Sequence, residues 1–177
     1  MSTALLADAR RVLEGFVSPH SDRFIDQAID GGLDRSGRPD HLTVSCLVIS
    51  HDLSQVLLTL HAKAGRWFQF GGHLEAEDLS LAAGARREVT EESGLAEFEL
   101  DPDVAQLDVH WVEFCGEGVH HLDVRFVARA DSADTYAVSE ESHDVRWFSL
   151  TDLPELEDSV LDLIDIARDR FATARTR

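Results

Sequence analysis

The stretch that decides the fold runs from residue 70 to residue 95 and reads F-G-G-H-L-E-A-E-D-L-S-L-A-A-G-A-R-R-E-V-T-E-E-S-G-L. Residues 80–92 contain no proline and are rich in Leu, Ala, Arg and Glu, which favour helix. Asp78 or Ser80 can cap the start of this helix, and Gly94 can end it in the left-handed conformation. The sequence therefore predicts a single helix that follows a Gly-Gly pair.

Three glutamates share one face of the predicted helix. Glu88, Glu91 and Glu92 stand at positions i, i+3 and i+4, so their carboxylates lie together. Like charges at this distance repel unless a cation lies between them, and carboxylate oxygens suit Mg²⁺ or Mn²⁺. Arg87 can pair with Glu91 at i+4 and hold the cluster in place. A short acidic run is usually a solvated face, but the whole pattern around it favours a metal centre.

Residues 72–95 resemble the Nudix box, G-x5-E-x7-R-E-U-x-E-E-x-G-U, in which U is an aliphatic residue. The second half matches from Arg87 to Leu95. In the first half, the positions expected for the first Gly and the first Glu hold His73 and Leu79. One extra residue in the loop after Gly72 explains this departure, and Asp78 then stands near the place of the first Glu.

The resemblance extends over roughly residues 42–153. Residues 121–126 (H-L-D-V-R-F) and 139–148 (S-E-E-S-H-D-V-R-W-F) resemble a Nudix subgroup whose box also begins G-G-H-x-E. The resemblance implies an α/β/α sandwich with a mixed β-sheet. It also implies hydrolysis of a nucleoside diphosphate linked to another moiety, with Mg²⁺ or Mn²⁺ as cofactor and a small-molecule diphosphate as substrate.

The resemblance also assigns roles to particular residues. Glu88 and Glu92 take the place of metal ligands, and Glu91 is either a ligand or the partner of Arg87. Gly71 would offer a backbone carbonyl to the metal, because a glycine lets the backbone approach closely. Family members use as general base either a box glutamate or a carboxylate on the loop before the last core strand. In this chain that loop carries Glu141 and Glu140, and we expect Glu141 to be the base or an additional ligand.

Four further residues are candidates for substrate binding. Arg66 and Arg125 are predicted to bind phosphate, because the guanidinium fork matches phosphate oxygens. His73 directly follows the two glycines, and Glu75 lies in the same loop, so either can reach the metal or the substrate. For each of them, surface solvation or a structural ion pair is the alternative interpretation.

The nine histidines raise the question of a second kind of metal site. Those predicted to lie in or near segments bordering the site are His61, His73, His110, His120, His121 and His143. They can bind phosphate, protonate a leaving group or ligate a softer metal. The sequence contains no H-x-x-x-H or clustered Cys/His spacing, which argues against a zinc site.

The chain of 177 residues has a net charge of −18. Such a charge repels a phosphate backbone, so we expect no non-specific binding of nucleic acid. Cys46 and Cys115 lie in apolar runs, typical of buried thiols in a reducing compartment. The first residues lack the order of a signal peptide, and no apolar run is as long as a membrane span. We therefore expect a cytoplasmic protein without a membrane segment.

The length predicts one structural domain. Residues 1–40 are expected to form an N-terminal helical arm that packs on the core, with helices at 3–16 and 21–29. Residues 41–177 are expected to form the Nudix hydrolase domain. We expect the arm to pack on the core, although it could instead form a lid or a dimer contact. The sequence is therefore compatible with either a monomer or a homodimer. Strands are predicted at 42–49, 55–60, 66–70, 104–114, 119–130 and 144–148, and a last helix at 159–172. This interleaving agrees with an α/β/α sandwich.

Two other functions share this fold class. A non-catalytic nucleotide sensor is one alternative, although the chain keeps the box glutamates that sensors usually lose. A prenyl diphosphate isomerase is the other, and it requires a catalytic Cys and Glu. Cys46 and Cys115 lack the surrounding motif of that activity, so hydrolysis is the favoured interpretation.

Overall fold

The computed structural model describes residues 1–29, 31–33, 40–62, 64–112, 119–132 and 142–174. Within these ranges the helices are α1 (Thr3–Glu14), α2 (Ser21–Gln27), α3 (Leu81–Ser93) and α4 (Asp158–Ala174). The strands are β1 (His41–Ser50), β2 (Gln55–His61), β3 (Arg66–Phe68), β4 (Phe70–His73), β5 (Glu99–Leu100), β6 (Gln106–Trp111), β7 (His120–Ala130) and β8 (Ser142–Ser149). Residues 115–118, which join the strands predicted at 104–114 and 119–130, lie outside the described residues.

All eight strands belong to one mixed sheet. Its main path is β3-β2-β1-β7-β5, with β4 paired to β1, β6 to β7 and β8 to β2. β1 and β7 are parallel over ten residue pairs, and the other pairs are antiparallel. One edge of β1 is divided, because residues 43–46 pair with β4 and residues 48–49 pair with β2. This division places the Gly-Gly pair of β4 beside the middle of the sheet.

Helices cover both faces of the sheet, and the alternation of β1 shows how. Val44 and Cys46 point into a core that also contains Leu81, Ala85 and Val89 of α3. Leu47 and Ile49 point the other way, into a second core built with α4. β1 is buried at every position, as expected for a central strand with parallel pairing. The predicted α/β/α sandwich with a mixed sheet is confirmed.

The box helix α3 forms for the local reasons that its sequence predicts. The Ser80 side chain accepts a hydrogen bond from the backbone N–H of Ala83, so Ser80 is the N-cap. Gly94 ends the helix with φ at +71°, in the left-handed region that glycine adopts without strain. Asp78 was the other candidate cap, but its carboxylate accepts hydrogen bonds from Arg87 and from the backbone N–H of Glu75 instead.

The N-terminal helices pack on the same core as the box helix, and α1 contacts the box helix directly. Leu5, Leu13 and Phe24 are fully buried in the same core as Leu81. The Asp8 carboxylate of α1 accepts a hydrogen bond of 2.9 Å from the backbone N–H of Leu81, and a negative charge there favours the helix N-terminus. The division of the chain at residue 40 into an arm and a hydrolase domain stays a prediction.

The sequence-based boundaries were wrong at several strand ends. The predicted strand 66–70 is two strands, β3 and β4, and the second continues through Gly71 and Gly72 to His73. The glycines therefore lie in a paired strand, not in the loop before the helix. β6 is shorter than predicted and ends at Trp111, whereas β8 is longer and begins at Ser142. Strand ends depend on pairing partners, which local composition does not specify.

No helix in the described ranges is both long enough and apolar enough to pass through a bilayer. The cytoplasmic location stays a prediction.

We expect Leu13→Ala to lower the free energy of unfolding by about 2–5 kcal/mol, because the substitution removes buried methyl groups and leaves a cavity. Urea denaturation followed by circular dichroism measures this change. Val17→Ala is the matched control: Val17 follows α1 and is 93% exposed, so its loss should change stability by less than about 0.5 kcal/mol. Equal effects of the two substitutions would contradict the packing of α1 on the core.

Candidate metal centre and active site

The box glutamates lie where α3 meets β4. Glu88 and Glu92 are only 8% and 9% exposed, whereas the Glu91 side chain is about half exposed. The Glu92 carboxylate accepts a hydrogen bond of 2.8 Å from the backbone N–H of Gly71. A Cβ atom at Gly72 would lie 2.8–2.9 Å from the Glu88 carboxylate. The two glycines thus let the strand backbone approach both carboxylates closely.

Arg87, in the middle of α3, organises the acidic groups around it. Its Nη1 atom donates to Glu88 at 2.9 Å and to Glu91 at 3.0 Å. Its Nε and Nη2 atoms donate to Asp78 at 3.2 and 3.1 Å, and Nη2 also donates to the carbonyl oxygen of His73 at 2.9 Å. The predicted i, i+4 pair with Glu91 is therefore present within a larger network.

The network keeps Arg87 charged. Burial by itself would lower the pKa of Arg87, but the hydrogen bonds and charges of Asp78, Glu88 and Glu91 raise it above its ordinary range. Glu75 adds a weaker contact at 3.8 Å. The guanidinium therefore offsets part of the negative charge that these carboxylates concentrate in one place.

These residues fit a hard divalent cation. The groups that Glu88 and Glu92 present are carboxylate oxygens, which Mg²⁺ and Mn²⁺ prefer. Two largely buried carboxylates on one helix face repel each other, and a cation between them removes that repulsion. Gly71 lies against the same place, although the structure shows its N–H, bonded to Glu92, as the contact. A role for its carbonyl stays a prediction.

A block of polar side chains occupies one face of the sheet across β1, β7 and β6. Residues on these strands align in three rows, which are His41–His121–His110, Thr43–Asp123–Asp108 and Ser45–Arg125–Gln106. Because side chains alternate along a strand, residues two apart share a face. We call this set the polar block. It continues the face on which Leu47 and Ile49 pack under α4.

Arg125 is the centre of the polar block. Its side chain is 3% exposed, and it donates to Asp123 at 2.9 Å, to Gln106 at 2.9 Å and to Asp108 at 2.8 Å. Asp123 also accepts from Ser45 at 2.7 Å. These contacts commit the guanidinium to groups within the chain, so the structure weighs against the prediction that Arg125 binds phosphate and favours its structural alternative.

The other predicted substrate residues lie in different surroundings. Arg66 is exposed on β3 and pairs with Glu157 at 2.9 Å, so a surface ion pair is present there. Glu75 is exposed beside Arg87. His73 ends β4 next to Gly72. Glu140 and Glu141 lie outside the described residues, so the predicted general base stays a prediction.

Four histidine rings meet at the edge of the polar block. Ring centroids of His41 and His73 are 5.0 Å apart, and those of His73 and His121 are 5.2 Å apart. The His110 ring centroid lies 5.5 Å from that of His121, and its Nδ1 atom is hydrogen-bonded to Asp108 at 2.9 Å. Burial, together with the neighbouring rings of His110, His73 and His41, lowers the pKa of His121 to about 3. Burial alone would lower the pKa of His110, but Asp108 raises it above the usual value.

His41 was missed by the sequence analysis, which started the first strand at residue 42. A signal was available, because His41, Thr43 and Ser45 alternate with the apolar Leu42, Val44 and Cys46. The alternation shows that His41 belongs to the polar face of that strand. Its neighbours His73 and His121 are far away in the chain, and only strand pairing brings the three together.

The family follows from comparison of the whole chain with known proteins. The sequence model described as NUDIX domain matches residues 39–168. The chain belongs to the NUDIX family. The predicted resemblance to Nudix hydrolases is thereby confirmed, and the family assignment agrees with the predicted Nudix pyrophosphohydrolase. No curated protein sequence matches this NUDIX chain.

Solved NUDIX structures share the fold at low sequence identity. A NUDIX family hydrolase from Clostridium perfringens is 21% identical with a TM-score of 0.58, and the match covers 76% of this chain and 97% of that one. The NUDIX domain of Shewanella oneidensis NrtR, complexed with ADP ribose, is 23% identical with a TM-score of 0.57, and the match covers 73% of this chain and 86% of that one. A C. elegans Ap4A hydrolase is 14% identical with a TM-score of 0.57, and the match covers 77% of this chain and 98% of that one. At sequence identities this low, the structural similarity shows only that these proteins share a fold with this chain.

We expect Gly72→Ala to weaken Mn²⁺ binding by about 10- to 100-fold, the range found when groups that position metal ligands are lost. The physical reason is the added Cβ atom, which would displace the Glu88 carboxylate. Titration of free Mn²⁺ by electron paramagnetic resonance measures the affinity. Gly15→Ala is the control, because a Cβ there meets its nearest atom at an ordinary 3.4 Å. Unchanged affinity in Gly72→Ala would argue against Glu88 as a metal ligand.

We expect Arg125→Met to lower the free energy of unfolding by about 3–5 kcal/mol, because it leaves the buried Asp123 carboxylate without its charged partner. Arg168→Met breaks an exposed ion pair with Asp165 and should cost less than about 1 kcal/mol. Urea denaturation compares the two variants. A stable Arg125→Met protein with weakened substrate binding would restore the phosphate-binding role.

Proposed function

We propose that this protein hydrolyses a diphosphate bond in a nucleoside diphosphate linked to another moiety, with Mg²⁺ or Mn²⁺ as cofactor. The observation that carries the proposal is the convergence of Glu88 and Glu92, both largely buried, on the backbone of Gly71 and Gly72. Two carboxylates held this way form an oxygen site for a hard cation within a NUDIX domain.

Glu88 and Glu92 would hold the cation, with Glu91 as a further ligand or as the partner of Arg87. When bound, a divalent cation neutralises phosphate oxygens and lowers the pKa of a water molecule. Hydrolysis of a diphosphate needs mainly positioning and charge stabilisation, so no nucleophilic side chain is required. This agrees with a site made of carboxylates and backbone.

The chain's own residues position the site. Gly71 fixes one Glu92 oxygen through its N–H, at 2.8 Å, and so orients the other oxygen. Arg87 holds Glu88 and Glu91 on the same guanidinium nitrogen and links them to Asp78, ahead of the helix. The general base would be Glu141, or a box glutamate if Glu141 does not reach the water.

The substrate class rests on the chemistry of the site and on the neighbours. Structures with this fold include a NUDIX domain in complex with ADP ribose and a protein named Ap4A hydrolase. Both compounds join a nucleoside to another moiety through two or more phosphates. The net charge of −18 favours a small phosphate ligand carried with metal over a nucleic acid. Monomer and homodimer both remain compatible with this activity.

The isomerase alternative is disfavoured by the surroundings of Cys46. The residue is fully buried in the core beneath α3, and burial raises the pKa of its thiol far above the ordinary value. A buried neutral thiol is a poor acid–base or nucleophilic group. Cys115 lies outside the described residues.

We expect Glu92→Gln to lower metal-dependent turnover by about 100- to 1,000-fold, since a ligand that stabilises the reacting phosphates contributes several kcal/mol. The substrate panel contains nucleoside triphosphates, ADP-ribose, other nucleotide sugars, dinucleoside polyphosphates, NADH, coenzyme A and prenyl diphosphates. Chromatography of the products with Mg²⁺ or Mn²⁺ identifies the substrate. Reaction in ¹⁸O-labelled water should place one labelled oxygen in a phosphate product.

Glu14→Gln is the matched control, because Glu14 is exposed at the end of α1, a separate helix. It should keep full activity. Tight nucleotide binding without turnover of any panel member would favour the sensor alternative. Isomerisation of a prenyl diphosphate without uptake of labelled oxygen would favour the isomerase.

A further inference from the structure

Three histidines from three different strands bring their ring nitrogens together at one end of the sheet. They are His41 of β1, His73 of β4 and His121 of β7, and one nitrogen from each lies within 4.8 Å of the other two. The Nε2 atoms of His41 and His73 are 3.1 Å apart. We call this set the histidine triad.

Strand pairing explains why these side chains meet. His41 and His121 are direct partners in the parallel β1–β7 pair. His73 pairs with Thr43, two residues along β1 and on the same face as His41. His73 therefore comes from one side of β1 and His121 from the other. The backbone of three paired strands holds the triad, so its geometry does not depend on a loop.

The spacing of the triad suits a transition metal. Zinc bonds to imidazole nitrogen at about 2.0–2.1 Å in tetrahedral sites, which places neighbouring ligand nitrogens roughly 3.3–3.4 Å apart. The separation of 3.1 Å between His41 and His73 is close to this value. The other separations between ligand nitrogens of the triad are at most 4.8 Å. Three imidazoles with an open fourth position resemble the ligand count of catalytic zinc sites.

The ligand type separates this site from the glutamate centre. Imidazole nitrogen suits Zn²⁺, Co²⁺ and Ni²⁺, whereas Mg²⁺ requires oxygen ligands. His41 is buried, and His73 and His121 are partly exposed. The absence of zinc-binding motifs in the sequence does not argue against the histidine triad, because such motifs contain only ligands that are close together in the chain.

We propose that His41, His73 and His121 bind one divalent transition metal of the zinc class, with the fourth position left for water or a phosphate oxygen. The site is distinct from the glutamate centre but adjoins it through His73. The carbonyl of His73 accepts from Arg87, and its neighbour Gly72 lies against Glu88. The His73 side chain points to the opposite face of the sheet from Gly72, so the triad and the glutamate centre are separate sites joined through the end of β4.

The first test is calorimetric titration of the full chain with ZnCl₂ in a Glu88→Gln/Glu92→Gln background, which removes the carboxylate site. We expect one equivalent of Zn²⁺ to bind. His41→Gln, His73→Gln and His121→Gln, each added to this background, should weaken binding by at least about 10- to 100-fold, the cost of disturbing even outer groups of a metal site. Circular dichroism verifies that each variant is folded.

His51→Gln is the control, because His51 is exposed just after β1, at the strand end opposite His41. It should leave Zn²⁺ binding unchanged. Absence of Zn²⁺ binding in the Glu88→Gln/Glu92→Gln background would overturn the proposal and leave the triad as hydrogen-bonded imidazoles. Equal binding by the three triad variants and the His51 control would overturn it as well.

A second test needs no substitution. X-ray absorption at the zinc edge, on the unsubstituted chain with one equivalent of Zn²⁺, should show the multiple scattering of imidazole rings from about three nitrogen ligands. A ligand shell of oxygen atoms alone would place zinc at the glutamates and refute the triad. Because the test does not require turnover, its result is independent of the proposed hydrolase activity.

Discussion

The site depends on one guanidinium that holds carboxylates from several places in the chain. Arg87 contacts Glu88 and Glu91 on its own helix, Asp78 before the helix and the carbonyl of His73 at the end of β4. Without this positive charge the acidic groups would repel one another. The same residue therefore links the segment before the helix, the strand end and the metal-binding face.

The sheet supplies a second constraint, which is charge balance in a buried layer. Asp123 and Arg125 are both nearly inaccessible, and each is satisfied by neighbours in the polar block. Buried charges are tolerated when they are paired and hydrogen-bonded. The block ends at the histidine triad, where the sheet face becomes partly exposed. Core, ion pairs and candidate metal ligands thus follow one another along the same strands.

Much of the fold was predictable because its signals are local. The Ser80 cap, the acidic face and the Gly94 stop all lie within fifteen residues, and the helix begins and ends within one residue of the prediction. The strand ends were less predictable, because β4 exists only through its pairing with β1. The role of Arg125 was equally hard to predict from the sequence. Its residue type suits phosphate, but its partners Asp123, Gln106 and Asp108 come together only in the folded sheet.

The sequence by itself determined the box helix, its acidic face and the family, since helical periodicity, capping and motif spacing are written in neighbouring residues. The tertiary structure alone decided which distant groups meet. His41, His73 and His121 are separated by 32 and 48 residues in the chain, yet strand register brings their ring nitrogens within 4.8 Å of one another. The physical reason is that register depends on long-range hydrogen bonding and burial, which no short stretch of sequence encodes.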